Sequence, residues 1–143
     1  MTRFVLRSIG LFLVLSSLAV LACSFVAEAP AEPAGGREEQ RRYAELEKVP
    51  EKDRNRSNPL EGDAHAVGAG QKLFGQHCAE CHGSTATGGR RGPSLRVQQV
   101  QDATPGMLFF ILTNGVVRRG MPVWSRLPEQ QRWQIVRYLK SLN

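Results

Sequence analysis

Cysteine is scarce. Three in 143 residues are too few for a disulfide framework, and two of them, Cys78 and Cys81, fall within one short motif. Histidine is as sparse, with three residues. Only His65 and His77 lie outside that motif, which leaves no acid–base pair of the kind a catalytic centre needs. Strands are unsupported outside one short apolar run, residues 109–112, and with no βαβ unit a thioredoxin-like dithiol has no setting. Aromatic residues make up 7% of the chain and are not interleaved with basic ones. The formal net charge of +6 therefore does not read as a nucleic-acid surface.

Residues 1–22 carry Arg3 and Arg7, then an apolar run, then small residues before Cys23. This is the layout of an export signal. Val20-Leu21-Ala22-Cys23 resembles a bacterial lipobox, in which the cysteine is lipidated and becomes the new N-terminus; leucine is the less usual residue at its second position. Two other outcomes compete. Cleavage after Ala27 or Ala29 would discard Cys23, and residues 9–27, left uncut, are just long enough to span a bilayer. Each alternative puts the rest of the chain outside the cytoplasm.

Residues 23–58 hold prolines, glycines and charges with few apolar side chains, too little to offset the entropy of ordering. They read as a flexible linker about 30 Å in mean span. Within them residues 37–48 are helix-compatible, with Tyr43 and Leu46 as apolar anchors. Such a helix is either solvated or docked on a partner.

From residue 59 onward the pattern changes. Asp63 is placed to cap a helix carrying Val67, Gly70, Leu73 and Phe74 on one face. Thr104 and Pro105 open a second helix that Asn114-Gly115 closes, although the apolar run 109–112 is also compatible with a strand. Pro128, at a first-turn position, opens a third, in which Trp133, Val136 and Leu139 or Leu142 recur at helical spacing. Between the first two stands Cys78-Ala-Glu-Cys81-His82, the attachment sequence of c-type haem. Its rivals are a redox dithiol and a zinc site, but histidines directly beside the cysteines are poorly spaced to close a tetrahedron.

On these residues the chain resembles class I c-type cytochromes, and residues 59–143 are the matching domain. The resemblance implies an all-α fold of three to four helices around one covalent haem c, with a glycine and aromatic of the first helix meeting an aromatic of the last. Gly70, Phe74 and Tyr138 fit those places. It implies Cys78 and Cys81 as thioether positions and His82 and Met121 as iron ligands. Met121 lies in Gly120-Met-Pro122, just before Trp124, with the placement of the family's methionine loop. Met107 falls inside a helix, His65 is the alternative for a bis-histidine site, and His77 is too near the motif to cross the haem. Gly92-Pro93 resembles the turn whose carbonyl orients the ligand histidine.

The resemblance further implies an electron carrier rather than an enzyme, with redox proteins as partners and a place on the periplasmic side of a bacterial membrane, held there by the N-terminus. A haem-based peroxidase or gas sensor with a labile methionine is the alternative. Arg90, Arg91, Arg118 and Arg119 border the expected haem edge, where they would attract an acidic partner; Arg91 or Arg96 could instead meet a propionate. From residue 59, ten Lys or Arg face five Asp or Glu. A domain of roughly 85 residues has a marginal core of its own, so haem would complete it.

Overall fold

Helix α3 (Ala64–His77) and helix α7 (Glu129–Leu139) form the principal crossing. Asp63 starts α3 as expected, its carboxylate accepting from the His65 amide at 2.8 Å. Ala66, Gly70 and Phe74 recur every fourth residue and are all buried. On α7, Trp133, Ile135, Val136, Tyr138 and Leu139 are buried, with Leu142 just beyond the helix end. The two helices meet where Gly70 has no side chain. A Cβ there would lie 1.9 Å from the Gln134 carbonyl oxygen. One turn along, the Phe74 and Tyr138 rings pack with centroids 5.4 Å apart and a 54° tilt, a favourable aromatic geometry. Pro128 sits one step earlier than its expected first-turn position, as the residue capping α7.

The computed structural model describes residues 34–142. The export segment and Cys23 lie outside the described residues. Among those described, the order is α1 (Ala34–Glu47), α2 (Glu51–Arg54), α3, α4 (Ala79–His82), α5 (Gln98–Asp102), α6 (Pro105–Asn114), a 3₁₀ turn (Val117–Arg119) and α7. None of these helices is long and apolar enough to cross a membrane. No strand is present among the described residues; a single antiparallel bridge joins Val116 and Met121.

Helix α6 resolves the ambiguous run 109–112. Thr104 Oγ1 accepts from the Met107 amide at 3.2 Å, Pro105 occupies the first turn, and Gly115 ends the helix with φ +67°. With start and stop both supplied, ten residues form helix, and Phe109 and Leu112 face inward.

Residues 34–58 depart from the expected flexible linker. The compact unit begins at Ala34, not near residue 59. Leu46 and Val49 are buried and Asn58 is 4% exposed, its side chain donating to the Trp133 carbonyl at 3.0 Å. Thr104 Oγ1 donates to the Arg54 carbonyl at 2.6 Å. A Cβ on Gly106 would come within 2.0 Å of the Asp53 carbonyl oxygen, so α6 needs glycine where α2 crosses it. The Arg56 guanidinium lies 4.6 Å from the Phe109 ring centroid and bonds Glu129 at 3.0 Å. Capped carbonyls and cation–π contact hold a segment whose apolar content alone is too low to order it.

Candidate haem site

The Cys-x-x-Cys-His motif is shaped by the end of α3. Cys78 closes that helix, its amide donating to the Phe74 carbonyl at 2.8 Å, and then starts α4 by accepting from Cys81 and His82. This short turn puts Cys78, Cys81 and His82 on the wall of one cavity of about 350 Å³, a size typical of small-molecule and cofactor sites. Met121, Pro122 and Trp124 also line it, and Phe74, Leu108, Leu112 and Ile135 give it an apolar interior.

Burial, together with the neighbouring Cys81, pushes the Cys78 thiol up to about 11. A reactive dithiol needs the opposite shift. A Cys78 thiol shifted in this direction is a poor attacking thiolate.

His82 is held by its backbone and by its ring. Gly92 approaches so closely that a Cβ would sit 3.0 Å from ring atoms Nδ1 and Cε1. The Nδ1 atom lies 2.8 Å from the Pro93 carbonyl oxygen. A carbonyl only accepts, so Nδ1 carries the proton and Nε2 keeps a free lone pair. That is the tautomer a metal-binding imidazole needs, with the orienting carbonyl behind it.

The Met121 loop is pinned at several points. Val116 and Met121 exchange backbone hydrogen bonds of 3.0 and 3.2 Å, Gly120 turns the chain at φ +85°, and the Trp124 amide donates to the Leu112 carbonyl at 3.3 Å. The Trp124 ring packs on His77 with centroids 5.3 Å apart, linking this loop to the end of α3. Of the other sequence candidates, His65 is exposed on the first turn of α3 and Met107 lines a separate, smaller hollow. Neither reaches the main cavity wall.

The basic residues divide. Arg90, Arg91, Arg118 and Arg119 are exposed; Arg91 and Arg119 border the cavity, and Arg91 pairs with Glu80. Arg96 is spent elsewhere, donating to the Thr85 carbonyl at 2.7 Å and the Leu142 carbonyl at 3.0 Å. Sequence reasoning missed Arg42, Tyr43, Glu45 and Leu46 of α1 as cavity residues. The signal was the spacing of Tyr43, Leu46 and Val49 at intervals of three.

Residues 65–139, over half of the chain, match the family model for subunit III of cbb3-type cytochrome c oxidase. The chain belongs to this cytochrome family. It is a class I c-type cytochrome, with the all-α fold that the resemblance implied. Haem c is its cofactor, with electron transfer as its work. A crystal structure of cytochrome cL from the marine methylotroph Methylophaga aminisulfidivorans shares the fold, at a TM-score of 0.53 and 22% identity over 82% of this cytochrome and 71% of the other. No curated protein matches the chain. The cavity lining fits haem: an apolar interior, two cysteines, a thioether and a histidine whose Nδ1 is tied to a backbone carbonyl.

Proposed function

We propose that this cytochrome holds one haem, covalently through Cys78 and Cys81, with His82 and Met121 as axial ligands, and passes single electrons between redox proteins. The observation that carries the reading is the 2.8 Å contact from His82 Nδ1 to Pro93 O, which leaves Nε2 as the free donor. Haem bound here supplies a one-electron iron couple. The chain's residues do the rest. Apolar walls exclude water, His82 is fixed in one tautomer, and the pinned 116–121 turn presents Met121 to the cavity.

A thioether ligand raises the potential relative to two nitrogen ligands and leaves no open position. Met121→Ala is therefore expected to abolish the sulfur-to-iron absorption band of the oxidised protein and to lower the midpoint potential, as read by spectropotentiometry. A wild-type spectrum that is high-spin and binds carbon monoxide freely would overturn the carrier reading in favour of a ligand-binding one.

Export and attachment through a lipidated Cys23 complete the proposal, on the strength of the Val20–Cys23 pattern, with the periplasmic face of a bacterial membrane as the site of work. Intact mass of the purified protein tests both lipid and haem count. The docking surface is the Arg118–Arg119 turn with Arg90 and Arg91. Val117 and Val123, 68% and 49% exposed, flank Met121 within it. An acidic redox partner fits such a surface. Reduction by a small anionic reductant is expected to slow as ionic strength rises, and reduction by a cationic one to quicken, in stopped-flow traces; no salt dependence would argue against the basic rim.

A further inference from the structure

Helix α1 lies outside the family-matched residues 65–139, yet Tyr43 and Leu46 line the haem cavity. Tyr43 makes a contact with a residue 51 positions along the chain: its hydroxyl donates to the Ser94 carbonyl at 2.8 Å. Ser94 directly follows Pro93, whose own carbonyl accepts from His82. The Pro93 ring fixes φ at that residue, and the Leu95 amide is held by the Ala86 carbonyl at 2.8 Å. The Ser94–Leu95 peptide, next in the chain to the one whose carbonyl orients the histidine, is thus tied at both its polar groups, its carbonyl by Tyr43 and its amide by Ala86. Leu46, three residues after Tyr43, is buried in the core and lines the same cavity, so it anchors α1 there.

We propose that α1 is a strap across the haem cavity and that Tyr43 is a positioning residue for His82, acting through the Pro93–Ser94 backbone. This rests on His82 being the axial ligand. With the backbone tied, the Nδ1–H···O bond stays short, giving the imidazole partial anionic character and favouring the oxidised metal. Burial, and next the Glu39 carboxylate, raise the Tyr43 hydroxyl above its usual range, so it remains a donor at physiological pH. Without that hydroxyl the Pro93 carbonyl gains freedom, and the hydrogen bond behind the histidine weakens.

The test uses full-length, haem-loaded protein and Tyr43→Phe, which keeps the ring and removes only the donor. The expected result has three parts. Haem content and the low-spin spectrum match wild type, the midpoint potential shifts positive, and the His82 Nδ1 proton exchanges with solvent about fivefold faster by NMR, as loss of one net hydrogen bond implies. An unmoved potential and exchange rate overturn the proposal. A shifted potential with unmoved exchange also overturns it, because Tyr43 would then act by its dipole alone. Failure of Tyr43→Phe to hold haem would make it a folding residue instead. A wild-type spectrum without histidine ligation would overturn the axial-ligand reading itself, an outcome read before any variant is compared.

Discussion

Cys78→Ala combined with Cys81→Ala yields a chain without covalent haem, seen as loss of the haem-stained band on a denaturing gel and of the haem increment in intact mass. The effect reaches the fold. The cavity has a volume of about 350 Å³ and an apolar lining. At roughly 24 cal/mol per Å³ of unrelieved cavity, leaving it unfilled costs up to about 8 kcal/mol, comparable to the total stability of a small domain. Part of that is recovered by collapse, but collapse separates Phe74, Leu108 and Ile135 from their present neighbours. The double variant is expected to lose its cooperative thermal transition in far-UV circular dichroism. A double variant that melts as sharply as wild type with no haem attached would show that the protein core is sufficient and that haem only occupies it.

Gly70→Val breaks the crossing of α3 and α7. The Cβ position is 1.9 Å from the Gln134 carbonyl oxygen, 2.6 Å from its carbon and 2.9 Å from the Tyr138 Cβ. Two of those atoms are backbone of a helix and cannot rotate away. The helices must part, and with them the Phe74–Tyr138 ring contact. A loss of about 3 kcal/mol or more is expected in denaturant titration, within the overpacking range and its tail. Alanine makes the sharper test. In an exposed helix Gly→Ala gains about 1 kcal/mol, and at Gly75, where nothing lies within 4 Å, it should. At Gly70 the sign reverses. Equal gains at both positions would mean that the crossing is looser than its geometry requires.

The helices α3, α6 and α7 were legible because each combines a cap, a stop or a proline with a buried face long enough to show its period. The haem motif was legible because its chemistry dictates its spacing. Pro93 was found through resemblance, and its bond to His82 now has a distance. Helix α5 escaped because five residues around one buried Val100 carry no period at all. Helix α1 was recognised as a helix candidate but misplaced. Tyr43 and Leu46 are too few apolar residues to order a helix alone, and what they pack against, Ser94 and the cavity wall, lies some fifty residues later. Run 109–112 read two ways because a buried strand and a buried helix share the same apolar density; the caps at Thr104 and Gly115 decided it.

The start of the compact unit at Ala34 also bears on how far the cytochrome could travel from an anchor at Cys23. Counted to residue 58, the intervening 35 residues could extend at most roughly 120 Å; counted to residue 33, ten residues extend at most roughly 35 Å. The search volume, scaling with the cube of reach, shrinks about fortyfold. Were Cys23 lipidated, effective concentration toward a partner fixed in the same membrane would rise accordingly, whereas a partner standing farther from the bilayer would pass out of range. A lipidated form of this protein would then serve neighbours in its own plane.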